Sequence, residues 1–440
     1  MTTYEVQVAV DVKNMNKRLA ILLFSLIVVM TGYGVTLPVL TFYIERLALV
    51  EGASAQKAAM HVGVLTGVFA LMQFFFAPLW GKWSDRVGRR PLVIIGLSGY
   101  AVTNLLFGLG TNLFMLYSAR ILGGILSAAV LPAATAYVAD VTSEKERGKA
   151  MAWLGSAIGL GVVVGPALGA WLSRLDWHVT FRYGQFYAND FSTPFFAAAF
   201  LGFFALFLTL IWLKESLALR GVVSNHKQIA RQKALKSMKR WQFHKGTFGK
   251  LLCISFLGQF ALTLFEGTFA LHASRVMNFG PAEMGLVFMD CGLVMAGAQA
   301  SVIGGLIDRV GEKSLMAAGF GLMGIGLILL MTTQKLTFIL VYVAIFALGM
   351  AALNPSVTTL VSKCAGKNPG TALGVQSSVN SLGQAGGPLV GGLLLAWYIH
   401  VPYLLTALPL IVIAFLIGRK VWLKNRLIFQ SENNKSLSGL

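Results

Sequence analysis

Apolar residues in this chain come in long runs, without the one-sided or alternating patterns of soluble elements. Predominantly apolar stretches cover roughly 19–43, 58–80, 91–110, 112–139, 148–173, 194–213, 248–272, 281–306, 314–333, 336–361, 369–397 and 401–423. Each has the ~20 residues that a helix needs to cross about 30 Å of hydrocarbon. None shows the ~10-residue alternation of a membrane barrel strand. In lipid only helices and closed barrels satisfy every backbone polar group. The pattern therefore predicts an all-α membrane protein with twelve transmembrane helices. The run Leu19–Tyr43 is too long for the core of a signal peptide and predicts the first span.

The polar interruptions are as informative as the apolar runs. Between Lys214 and Lys250 there are ten Lys/Arg and one Glu. This segment predicts a basic linker, 214–247, between a bundle over 1–213 and a second bundle with its tail over 248–440. Basic residues also gather at Lys82, Arg86, Arg89 and Arg90, at Lys145, Arg147 and Lys149, and at Arg419, Lys420, Lys424 and Arg426. With twelve spans all these clusters fall on one side, together with both termini. The bias of Lys and Arg toward the cytoplasmic side then makes both termini cytoplasmic.

Composition narrows the class. Of 440 residues only 12% are charged and the mean hydropathy is +0.72. The net charge of +19 raises the question of nucleic acid, but its confinement to loops reads as membrane topology. Cys253, Cys291 and Cys364 lie far apart, with neither metal-ligand nor disulfide spacing. The motif Gly-x-Gly-x-x-Gly at 319–324 sits inside an apolar run with no preceding strand, so it does not predict a dinucleotide site. No metal, cofactor or enzymatic site is expected. The aromatic segment 174–193 suggests an interfacial belt.

Three landmarks repeat. Gly81, Asp85, Arg86, Val87 and Gly88 recur 223 residues later as Gly304, Asp308, Arg309, Val310 and Gly311. Pro132 recurs at the same offset as Pro355, and Gly165-Pro166 recurs 222 residues later as Gly387-Pro388. Common offsets predict two pseudo-symmetric six-helix bundles. Transporters built from parallel repeats bind their cargo at the repeat interface.

The stretch GKWSDRVGRRPLVI at 81–94 resembles the signature between helices 2 and 3 of the major facilitator superfamily. The twelve spans, the two halves and the basic central loop extend the resemblance over essentially the whole chain. It implies the major facilitator fold. It also implies a gating charge cluster of Asp85, Arg89 and Asp140, with Gly81, Arg86, Gly88 and Arg90 in the same turn and Asp308 and Arg309 in the second copy. Glu312 stands where Arg89 does, so a weaker second cluster is expected. Span 5 partly matches the superfamily's antiporter motif at Gly161, Gly165, Pro166 and Gly169, with alanines at 152 and 170 where the motif has glycine. Span 11 matches at Gly383, Gly387, Pro388 and Gly391. These positions suit a bent, closely packed rocking hinge, or simple small-residue packing.

Candidate chemistry lies at membrane depth. Glu266 in span 7 and Asp290 in span 8 are carboxylates within apolar runs. Such residues mark ion or proton pathways, because loss of water favours a carboxyl's neutral form. Asp290 is expected near the midplane and Glu266 nearer the outer end, where it could equally be solvated. Arg120, inside span 4, either assists coupling, as the resemblance implies, or snorkels to the surface. Gln376, Asn380 and Gln384 form one helical stripe. With Gln73, Gln259 and Phe260 they are the candidate substrate contacts, an aromatic and amide lining suited to amphipathic molecules. The expected function is proton-coupled export of small amphipathic molecules, tetracycline-like or multidrug, by a monomer in a bacterial inner membrane. The alternatives are export of a native metabolite, sugar or siderophore on the same fold, or a non-transporting receptor.

Overall fold

The computed structural model describes residues 3–142, 144–172, 182–183, 186–187, 191–216, 246–364 and 369–437. Residues 217–245 of the expected 214–247 linker and most of the 174–193 loop lie outside the described residues, as do the side chains of Lys145, Arg147 and Lys149. Helices dominate: α1 (Thr3–Val50), α2 (Ala55–Val87), α3 (Arg89–Gly108), α4 (Leu113–Ser127), α5 (Val130–Val141), α6 (Glu144–Leu172) and α7 (Ser192–Trp212). They continue with α8 (Thr247–Met277), α9 (Pro281–Ala298), a π-helical turn (Gln299–Ile303), α10 (Gly304–Val310), α11 (Glu312–Leu329), α12 (Leu336–Cys364), α13 (Pro369–Trp397) and α14 (Val401–Leu437). A two-residue antiparallel pair joins Arg182–Tyr183 to Phe186–Tyr187.

Among the described residues, ten stretches are long and apolar enough to cross a membrane. Span 4 combines α4 and α5, and span 8 runs from Pro281 to Val310. Twelve were expected, and the two that fall short are α6 and α13. A shorter apolar stretch, Trp153–Gly169, remains within α6. In α13 the apolar run is diluted by Gln376, Ser377, Ser378, Asn380, Ser381 and Gln384.

Helix ends follow local chemistry. Ser54 caps α2 by accepting from the Lys57 amide at 3.3 Å, and Asn112 caps α4 by accepting from the Met115 amide at 2.9 Å. The Glu51 carboxylate accepts from the Leu113 amide at 2.7 Å, placing negative charge at the positive end of α4. Between α2 and α3 the chain turns on Gly88, at φ +117°, and between α10 and α11 on Gly311, at φ +84°. A side chain is strained in that region of backbone space, which accounts for glycine at both copies.

The described residues form two compact units. One comprises those within Met1–Phe243 together with Glu266–Met289, and the other those within His244–Phe265 and Asp290–Leu440. In the first, Leu22, Leu26, Leu97, Ala133, Tyr137 and Ala198 belong to a continuous apolar core. In the second, Ile303, Leu315, Ala351 and Ala352 pack together.

The glycine motifs are helix contacts of unusual closeness. A β-carbon at Gly165 would lie 2.5 Å from the Thr31 carbonyl oxygen and 2.6 Å from the Gly34 α-carbon, so α6 and α1 meet backbone to backbone. Gly161 and Gly169 touch the same helix. In the second unit a β-carbon at Gly383 would lie 2.9 Å from the Phe256 carbonyl, and one at Gly387 would lie 2.7 Å from the Phe260 carbonyl, both on α8. Gly391 is buried. Both α6 and α13 continue as helix through Pro166 and Pro388.

Candidate functional site

At the α2–α3 turn, Arg89 is the centre of a buried charge cluster. Its Nε donates to Asp140 Oδ2 at 2.9 Å, one terminal nitrogen to Asp85 Oδ1 at 2.8 Å and the other to Ser84 Oγ at 2.9 Å. The Arg89 side chain is 3% exposed. Arg90 bonds the Leu210 carbonyl at 2.8 Å, whereas Arg86 is exposed at the last turn of α2. The amides of Arg89 and Arg90 both donate to the Glu215 carboxylate, at 2.8 and 3.1 Å. A β-carbon at Gly88 would collide with that carboxylate. By contrast, a β-carbon at Gly81 would reach only to 3.9 Å from Pro132, so close approach is not what selects glycine there.

The second copy retains the ion pair with its signs exchanged. Arg89 and Asp140 correspond, at the offset of 223, to Glu312 and Lys363, and these two side chains pair with each other. The reversed pair is more open, with Lys363 65% exposed. Asp308 and Arg309 are exposed and make no ion pair among the described residues.

Deeper in the first unit, three ionisable side chains gather. Glu266 stands eleven residues before the end of α8. At 1.5 Å per residue that is about 16 Å along the axis, half the thickness of a hydrocarbon core. The helix α8 runs on to Met277, past the expected end of span 7 at 272. Tyr33 of α1 donates its hydroxyl to the Glu266 carboxylate, and Arg120 lies near Tyr33. Arg120 is held over two rings, 5.0 Å from the Phe69 centroid and 5.1 Å from that of Phe107. A guanidinium over an aromatic face is favourable, and this arrangement differs from a snorkelling arginine. The buried Arg120 Nε has no hydrogen-bond partner.

Asp290 belongs to the second unit, where its buried Oδ2 likewise lacks a partner. The α13 stripe divides. Gln376 donates to Ser255 Oγ at 3.1 Å and Thr358 Oγ1 at 3.2 Å, while Ser255 donates to Asn380 Oδ1 at 2.7 Å. Gln384 is exposed. Ser255, Gln259, Asn354 and Asn380 line a cavity with room for about one water molecule. Phe260 stacks on Phe256 at 5.8 Å, and Gln73 is half-buried on α2. Among the described residues, no group of His, Cys, Asp and Glu could hold a metal ion.

Sequence reasoning missed Tyr33, Ser255, Asn354 and Glu215. Each is a polar residue in or beside an apolar run, but only packing reveals its partner. It also missed the pair Glu45–Arg275, in which Arg275 donates twice to Glu45 Oε1, at 2.8 and 3.0 Å, and once to the Ala55 carbonyl at 2.8 Å.

Among the described residues, ten helices long and apolar enough to cross a membrane, with charged side chains buried among them, define a polytopic membrane protein. Residues 22–305 and 298–428 match the Major Facilitator Superfamily. The chain belongs to that superfamily, and is a transporter rather than an enzyme. It is 32% identical to multidrug resistance protein 2 of Bacillus subtilis (strain 168) over 89% of this chain and 92% of that one. It is 24% identical to the quinolone resistance protein NorA of Staphylococcus aureus (strain COL) over 88% and 92%. Its fold is similar to that of a D-xylose–proton symporter, with a TM-score of 0.72 and 17% identity over 91% of this chain and 96% of the other.

Proposed function

We propose that this protein exports small amphipathic organic molecules in exchange for protons, by alternating access. The observation that carries the reading is the trio Tyr33, Glu266 and Arg120 at membrane depth, flanked by Phe69 and Phe107. A carboxyl can take up and release a proton, and it also attracts a cationic cargo. Aromatic walls suit a flat, partly apolar ligand. The names of the relatives, multidrug and quinolone resistance proteins, support the same cargo class. Asp290 is the second candidate for proton coupling. On this reading α6 and α13 complete twelve spans in two halves, the segment 214–247 links them, and both termini face the cytoplasm of a bacterial inner membrane. The charge cluster around Arg89 gates one side, the glycine motifs serve as the hinge, and the monomer is the working unit.

The test is transport in proteoliposomes with an imposed pH gradient, using a fluorescent lipophilic cation and a tetracycline as separate cargoes. Movement that stops when the gradient is dissipated is expected. Folded protein that moves neither would replace this reading with export of a native metabolite, sugar or siderophore. Glu266→Gln and Asp290→Asn are each expected to abolish uphill movement while ligand binding persists. Normal uphill export by both variants would remove these residues from the coupling path.

A further inference from the structure

Span 4 loses its α-helical bonding for one turn at Ala128–Ala129, where the backbone keeps right-handed helical angles, and proline alone does not explain this break in the ladder. Helix α4 ends at Ser127 and α5 begins at Val130. Pro132 is the obvious candidate, because it lacks an amide hydrogen and cannot bond four residues back. Yet Pro38, Pro78, Pro166, Pro355, Pro388 and Pro409 all lie inside continuous helices. Pro355 is the repeat equivalent of Pro132, and α12 passes through it unbroken.

The hydrogen bonds show what differs. The Ala129 amide bonds the Leu126 carbonyl at 3.1 Å, three residues back. The Ile125 carbonyl, its ordinary helical partner, instead accepts the indole Nε1 of Trp80 on α2 at 2.6 Å. A side chain inserted into the helical ladder is a recognised cause of a kink. At the offset of 223, Trp80 corresponds to Ile303, which has no side-chain donor. The half with an indole at this position has a broken span 4, and the half with an aliphatic side chain has a continuous span 10.

We propose that Trp80 is a positioning residue for transport, an indole pin that holds span 4 in a tightened turn at Ala128–Ala129 and so sets the relative orientation of its two arms. One arm carries Arg120 above Phe69 and Phe107. The other carries Asp140, the partner of Arg89. Trp80 immediately precedes Gly81, at the start of the signature stretch, and Ser84 one turn further on bonds Arg89. Any shift of α2 at the charge cluster is thereby passed to the break in span 4. An unsatisfied carbonyl in this apolar core is costly. Without the pin, the helix recovers its bond from Ala129 to Ile125, and the tightened turn relaxes to regular α-helix.

The experiment replaces Trp80 with β-(3-benzothienyl)alanine, which keeps the ring shape and has sulfur where the indole has N–H. Spin labels at Phe114→Cys and Thr135→Cys, one on each arm, report the bend in a background where Cys253, Cys291 and Cys364 are serine. The isostere is expected to lengthen the label distance, slow amide exchange over 126–132, and lower the maximal transport rate about tenfold, as loss of roughly one hydrogen bond predicts. KM should stay within about twofold. Pro132→Ala with Trp80 intact is expected to keep the break. An unchanged bend with the isostere, or closure of the break by Pro132→Ala alone, overturns the proposal. A straightened span 4 that transports at the normal rate overturns the positioning role. These readouts follow the bend and rate with whatever cargo the protein moves, so failure of the drug assignment is a separate result.

Discussion

On the proposed function, coupling turns on Glu266, because burial in an apolar environment magnifies the consequence of one charge. Glu266 keeps a tyrosine hydroxyl as partner, and Arg120 keeps two aromatic faces. Replacing the hydroxyl of Tyr33 by hydrogen removes a donor to the carboxylate while leaving the ring in place. Tyr33→Phe is expected to alter the pH dependence of transport while protein yield and fold are retained, since it removes the hydroxyl bonded to the carboxyl proposed to carry the proton. A pH–rate profile superimposable on that of the unmodified protein would show that Tyr33 only fills space. Arg120→Lys is expected to lose most activity, because an ammonium cannot stack flat on Phe69 and Phe107 as a guanidinium does.

The two copies of the signature turn form an internal comparison at the scale of the element. Arg89–Asp140 is buried and shares its partners with Asp85, Ser84 and Glu215, whereas Lys363–Glu312 is partly open. Removing one partner from a buried pair leaves an uncompensated charge and costs about 3–5 kcal/mol. An exposed pair contributes at most about 1 kcal/mol. Asp140→Asn is therefore expected to lower thermal stability in detergent and slow turnover markedly, and Lys363→Ala to do little of either. Equal effects in a thermal-shift and transport comparison would mean that the buried position of Arg89 is irrelevant. Gly165→Leu, forced against the Thr31 carbonyl, is expected to destabilise α1–α6 packing by more than the ~1–3 kcal/mol typical of an overpacked core. Melting at the unmodified temperature would refute the close contact.

Over the whole molecule, the proposed alternating access requires contacts at helix ends to break and re-form. The ends of α1 and α8 are tied by Glu45 and Arg275, with the start of α2 joined through the Ala55 carbonyl. Arg275→Ala is expected to speed modification of a single cysteine at Thr36 by a membrane-impermeant thiol reagent added from outside. Modification at the unaltered rate would show that this pair does not restrain opening.

The helical membrane architecture and the signature turn were legible in the chain, because hydrocarbon thickness sets helix length and the residues of the turn recur at a common offset. Glycine at 88 and 311 was legible too, since a turn at positive φ excludes side chains whatever surrounds it. Partners were not legible, for they depend on which faces of separate helices meet. Packing alone places Tyr33 against Glu266, Glu215 over the amides of Arg89 and Arg90, and the indole of Trp80 on the Ile125 carbonyl. Equivalent prolines at 132 and 355 lie in a span with a tightened turn and in an unbroken helix, and the indole on the Ile125 carbonyl is a difference between them that only packing could bring about.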